Sequence, residues 1–171
     1  NHPQYGFMPP DDFIPQAEQT GTVQKLTEFA LKTAIKKCVM MQESGFPVKI
    51  AVNLSVRDLL NRHLPAWLDS LLLEQGLGVE FMVLEITESA VMEDPEFSLG
   101  VLRGLHDKGF SLSIDDYGTG YSSMAYLKQL PIDEIKIDKS FVTDLAKNRE
   151  EEIIVRSTIE MGHNLGFKVI A

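Results

Sequence analysis

The sequence predicts an α/β protein built from parallel βα units, and three observations carry that expectation. Short apolar, β-branched runs recur along the chain, amphipathic helical stretches separate them, and glycine or proline marks most of the joins. Parallel neighbours need long crossover connections, and the intervening helices supply them.

The elements follow in order. The opening, rich in Pro and Gly, reads as loop-like; residues 22–44 then form one amphipathic helix, closed by Gly45-Phe46-Pro47. Val23, Leu26, Ala30, Ala34, Cys38 and Met41 recur there at helical spacing and form its expected core face. Residues 48–54 are a compact β-branched run that fits a buried strand, and a helical stretch follows whose second part covers 64–75, stopped by Gly76 and Gly78. The next unit pairs a strand over 81–87 with a helix over 95–108, on which Phe97, Val101, Leu102 and Leu105 share a face. Then come a strand over 110–114, a Gly-bearing loop, a short helix near 123–129 and a strand over 134–137. A helix over 150–165 leads into a last strand over 167–171.

Two architectures fit this rhythm, an open doubly wound sheet and a closed barrel. Polar residues stand at or near the ends of four successive apolar runs: Asn53, Glu85, Asp115 and Lys136. That favours a barrel, whose whole upper rim surrounds one site, whereas an open sheet gathers its ligand at a switch point. A complete eight-unit barrel takes about 250 residues, so this chain is expected to hold about five βα units of one partial domain, truncated at both ends.

Composition narrows the function. Sixteen basic against 25 acidic residues give a net charge of -9, which argues against binding DNA or RNA polymers, since these are held by neutralising phosphates. A small phosphate ligand remains compatible if metal ions stand between it and the acids. No apolar run approaches the roughly 20 residues that span a bilayer, so no direct membrane insertion of this segment is expected. The single Cys38 excludes an internal disulfide and a multi-cysteine zinc site. The expected location is cytoplasmic, with a parent open to membrane tethering.

Asp115 and Asp116 open the run Asp-Asp-Tyr-Gly-Thr-Gly-Tyr-Ser-Ser directly after an apolar strand. Adjacent carboxylates there can hold hard cations, and Gly118 and Gly120 allow tight turns beside them; a capped turn before the short helix is the plainer alternative. Glu85 lies inside a β-prone run where an unpaired carboxylate would be costly, so it belongs at the rim, paired or coordinating. Glu88, three residues on, belongs to the following loop or to a first helical turn. Asn53 offers a neutral oxygen, and Lys136, between Ile135 and Ile137, is read as facing the lumen, where it could orient water or stabilise phosphate charge. Three acids at one mouth repel unless they are protonated or share cations, so a divalent metal site is the natural hypothesis. His2, His63, His106 and His163 form no metal spacing or triad, and Ser55 and Ser122 lack an activating histidine.

With those residues in view, the chain resembles the EAL family of cyclic dimeric GMP phosphodiesterases. The matching strings are PPDDFIPQAE at 9–18, AVNLS at 51–55, LEITES at 84–89, DDYGTGYSS at 115–123 and IKIDKSF at 135–141. The resemblance implies a modified (β/α)8 TIM-type barrel, a site for two divalent cations, Mg²⁺ or Mn²⁺, and hydrolysis of one phosphodiester to linear pGpG in bacterial second-messenger signalling. Carried over by position, Asn53, Glu85, Asp115 and Asp116 resemble metal ligands. Lys136 resembles the lysine that positions the attacking water, and Glu88 the glutamate that supports the loop at 116–123. Tyr117 stands where Phe is commoner. The family's Glu-Ala-Leu signature is expected just before Asn1, and a further glutamate after Ala171. The 171-residue segment alone is therefore expected to be inactive, with catalysis assigned to the parent domain. Relatives also imply a homodimer through 117–127 and an attached sensory or GGDEF-type domain. A metal-free receptor for the same dinucleotide and a protein-interaction module are the alternatives.

Overall fold

A computed structural model describes residues 4, 6–120, 124–143, 145 and 148–171. The elements run α1 (Pro10–Gln19), α2 (Val23–Glu43), β1 (Ile50–Leu54), α3 (Val56–Leu59), α4 (Leu64–Gln75), a 3₁₀ turn (Val79–Phe81), β2 (Met82–Thr87), α5 (Glu88–Glu93) and α6 (Pro95–His106). They continue with β3 (Ser111–Tyr117), α7 (Met124–Leu127), β4 (Glu134–Ile137), α8 (Lys139–Thr143), α9 (Arg149–Asn164) and β5 (Lys168–Ile170).

The five strands form one parallel sheet in the order β1-β2-β3-β4-β5. A doubly wound sheet reverses its order at a switch point, and this one does not. Burial alternates along β1, β2 and β4, while β3 buries Leu112, Ser113 and Ile114 in succession; Val52, Leu54, Met82, Leu84, Ile86, Leu112, Ile114 and Ile135 share one core with Leu31, Ile35, Leu68, Leu72, Leu102 and Leu105 of the helices. The opposite face carries Asn53, Glu85, Asp115 and Lys136, which are less buried. Sequential parallel strands with helices packed on one face are an arc of a (β/α)8 barrel, and they settle the choice between the two architectures.

Several elements differ from expectation, each for a physical reason. The opening contains a helix from Pro10, where proline at the first helical position loses no hydrogen bond, and Asp11 and Asp12 suit the first turn. The buried face of α2 is Val23, Thr27, Leu31, Ile35 and Cys38, while Leu26 and Met41 are exposed. Thr27 disguises that face. Its hydroxyl donates to Asp58 Oδ2 at 2.7 Å, so a polar residue lies on the inner stripe with its hydrogen bond satisfied. The Ser55 amide and hydroxyl donate to the same Asp58 oxygen, at 2.9 and 2.6 Å, pinning the turn that follows Asn53. Strand β3 extends to Tyr117, so Asp115 and Asp116 lie within it, beside a register shift against β4 between Ile114 and Tyr117. Helix α8 and the short α5 are further elements, the latter capped by the Thr87 hydroxyl, which accepts from the Ala90 amide at 3.3 Å.

Among the described residues, no helix is long and apolar enough to cross a membrane.

Candidate active site

Parallel register sets Asn53 beside Glu85, Glu85 beside Ser113, and Thr87 beside Asp115. Alternation along the strands then gives Asn53, Glu85 and Asp115 one common face. Lys136 on β4 joins them. Its ammonium donates to Glu85 Oε1 at 2.9 Å and to Asp115 Oδ2 at 3.1 Å, reaching past β3 to touch β2. All three side chains are largely sheltered, with exposures of 27%, 14% and 24% for Lys136, Glu85 and Asp115.

Burial by itself would lower the Lys136 pKa, yet the hydrogen bonds and charges of Glu85 and Asp115 outweigh it and raise the value above the ordinary lysine range. Lys136 is thus a cation and a hydrogen-bond donor at neutral pH.

Asp116 adopts a left-handed backbone, φ 53°, and its carboxyl shares a hydrogen bond with Asp138 while staying within reach of the Asp115 charge. Burial, the charge of Asp115 and the hydrogen bond shared with Asp138 all push its pKa up. Asp138 is held below the usual carboxylate range, chiefly by the hydroxyl and amide of Ser140. Sequence reasoning does not single out Asp138, although it directly follows β4, two residues after Lys136.

Glu88 is buried at the first position of α5 and accepts from the amides of Gly118, at 3.1 Å, and Gly120, at 3.3 Å. Both glycines are required by that contact. Gly118 has φ 103° with the Phe141 ring against it, and a Cβ on Gly120 would stand 2.8 Å from the Glu88 carboxyl. Tyr117 packs against the hydrophobic core, its hydroxyl donating to Met161 Sδ at 3.8 Å; burial, then the Glu88 charge, raises its phenol pKa. Tyr121, Ser122 and Ser123, which complete the loop motif and fall inside 117–127, lie outside the described residues.

Among the described residues, no three His, Cys, Asp or Glu side chains converge as a ready metal cage. The donor chemistry nonetheless fits a hard divalent cation: Asn53, Glu85 and Asp115 offer oxygen atoms from adjacent strands. The Lys136 ammonium seated between two carboxylates shows that this point on the face takes positive charge.

The model of the family described as EAL domain matches residues 1–171. The chain is 38% identical over 171 residues to the bifunctional diguanylate cyclase/cyclic di-GMP phosphodiesterase MucR of Pseudomonas aeruginosa, covering 99% of this chain and 25% of that protein. It is 36% identical over 171 residues to the cyclic di-GMP phosphodiesterase NbdA of the same organism, covering 99% of this chain and 22% of that one. The chain thus spans about a quarter of the length of these curated relatives. Among solved structures, the MucR phosphodiesterase from Pseudomonas aeruginosa in complex with c-di-GMP superposes with a TM-score of 0.92 at 38% identity, over 98% of this chain and 68% of that one.

Proposed function

Because the chain belongs to the EAL domain family, we propose that the sheet face bearing Asn53, Glu85, Asp115 and Lys136 is the site of a phosphodiesterase that hydrolyses cyclic dimeric GMP to linear pGpG within the full-length protein. The observation that carries this reading is Lys136 held between Glu85 and Asp115 on the strand-end face. Relatives at 36% and 38% identity that are named phosphodiesterases support the substrate class.

The reaction opens one phosphodiester. A water oxygen bonds to phosphorus, the bond from phosphorus to the 3′ oxygen breaks, and that oxygen leaves as a hydroxyl after taking a proton. Mg²⁺ or Mn²⁺, held by Asn53, Glu85, Asp115 and Asp116 in a two-metal site, would supply Lewis acidity at the phosphate and acidify the attacking water. Lys136, a donor with its proton retained, orients the water through a lone pair and offsets the charge that grows on phosphorus oxygens. Glu88 fixes the backbone of Gly118 and Gly120, and so the segment that carries Asp116. Like-charge repulsion between Asp115 and Asp116 explains why cations would be drawn there.

In the same proposal the domain acts in the cytoplasm, forms a homodimer through 117–127, where Met124 is 63% exposed, and is joined to a sensory or GGDEF-type domain. The alternative is a receptor that binds the same dinucleotide, in which the Lys136 ammonium serves as the counter-ion of Glu85 and Asp115. The test is incubation of the full-length protein with cyclic dimeric GMP and Mg²⁺, following pGpG by chromatography and nucleotide binding by calorimetry. Product establishes the phosphodiesterase, and binding without product establishes the receptor.

A further inference from the structure

One polar row crosses all five strands. Register sets Asn53 beside Glu85, Glu85 beside Ser113, Ser113 beside Glu134 and Glu134 beside Lys168. The candidate site accounts for the end of that row on β1 and β2. The other end is closed by its own hydrogen bonds: the Lys168 ammonium donates to Glu134 Oε2 at 2.8 Å, and the buried Ser113 hydroxyl donates to Oε1 at 3.2 Å. Both carboxylate oxygens of Glu134 are therefore engaged.

Glu134 is also the nearest residue before Lys136 on the same face of β4, about 7 Å away along the strand. Lys136 has a carboxylate on its own strand and two on other strands, and it donates to those on the other strands. Glu134 differs from Glu85 and Asp115 in holding a separate cation. We propose that the Lys168–Glu134 pair is a positioning device: by satisfying Glu134, it leaves the Lys136 ammonium committed to Glu85 and Asp115. The Lys168 side chain is 70% exposed, so the pair adds little stability as an ion bridge. Its place in the row, directly before Lys136, gives it a use.

The test compares Lys168→Met, Lys168→Arg and the double variant Glu134→Gln/Lys168→Met in the full-length protein. Loss of the cation frees Glu134 to draw Lys136 back along β4. Lys168→Met is expected to lower kcat on cyclic dimeric GMP about tenfold with KM near wild type, the scale of losing an outer partner of a site. Lys168→Arg keeps turnover, and the double variant recovers it, because the competing charge is gone. Crystals of Lys168→Met are expected to place Lys136 Nζ within hydrogen-bond distance of Glu134. The kinetic arm rests on the phosphodiesterase reading and the crystallographic arm does not, so a wild-type protein without turnover would remove that reading while the position of Lys136 still decides this one. Wild-type kcat in Lys168→Met, a loss that Glu134→Gln fails to recover, or Lys136 unmoved in the crystal would each overturn the proposal.

Discussion

Lys136 on β4 donates to Glu85 on β2 at 2.9 Å, so one side chain ties two strands that are not neighbours. The contact passes over Asp115 of β3, which shares the same ammonium. Lys136→Met strands two sheltered carboxylates without a cation. It is expected to lower turnover a hundredfold to a thousandfold, about the effect of removing one preorganised donor, and to cost about 1–3 kcal/mol of stability. Steady-state kinetics and urea unfolding check the two effects separately.

Glu88 anchors the backbone of the loop after β3 through the Gly118 and Gly120 amides. In Glu88→Ala those two amides lose their acceptor. Hydrogen exchange at Gly118 and Gly120 is expected to accelerate while exchange in β2 stays slow. Equal rates in the two proteins would show that the loop is held by other contacts.

Asp116 gives a stability prediction with a definite sign. Burial, Asp115 and Asp138 raise its pKa in the fold, so its ionised form is penalised there. For an acid shifted upward, that penalty is fully present above the folded pKa and absent below the unfolded one, about 3.9. Asp116→Asn removes the charge and keeps a donor for Asp138. It is expected to melt higher than wild type at pH 7 in chelator-treated buffer, with the difference vanishing as pH falls below the unfolded value, while losing turnover. Melting curves across pH read this directly.

Cys38 is fully buried on α2, its thiol donates to the Val48 carbonyl at 3.2 Å, and burial raises its pKa. A raised, inaccessible thiol has little thiolate to react. A disulfide reagent is expected to leave it unmodified in the native protein and to modify it promptly in denaturant. Rapid native modification would contradict this packing.

The sequence was legible where local signals and burial agree. Residues 64–75 and 134–137 were read with the bounds that α4 and β4 have, because Gly76 ends one and charged flanks frame the other. Alternation likewise placed Glu85 and Lys136 within apolar strands. The α2 stripe was misread since Thr27 is polar yet buried, a fact set by Asp58 thirty-one residues away. No periodicity reports such a partner. The left-handed turn at Asp116 and its meeting with Asp138 arise from a register shift between β3 and β4, which exists only once the strands pair. Glu134 and Lys168 were invisible for the same reason: their relation is one of register across strands, thirty-four residues apart.

Whether the Lys136, Glu85 and Asp115 face hydrolyses cyclic dimeric GMP is read from Mg²⁺-dependent turnover by the full-length protein and its Glu85→Gln variant, with the fold checked by circular dichroism. The wild type is expected to form pGpG and a folded Glu85→Gln protein to form none. Undiminished pGpG formation by Glu85→Gln would remove this face from the reaction.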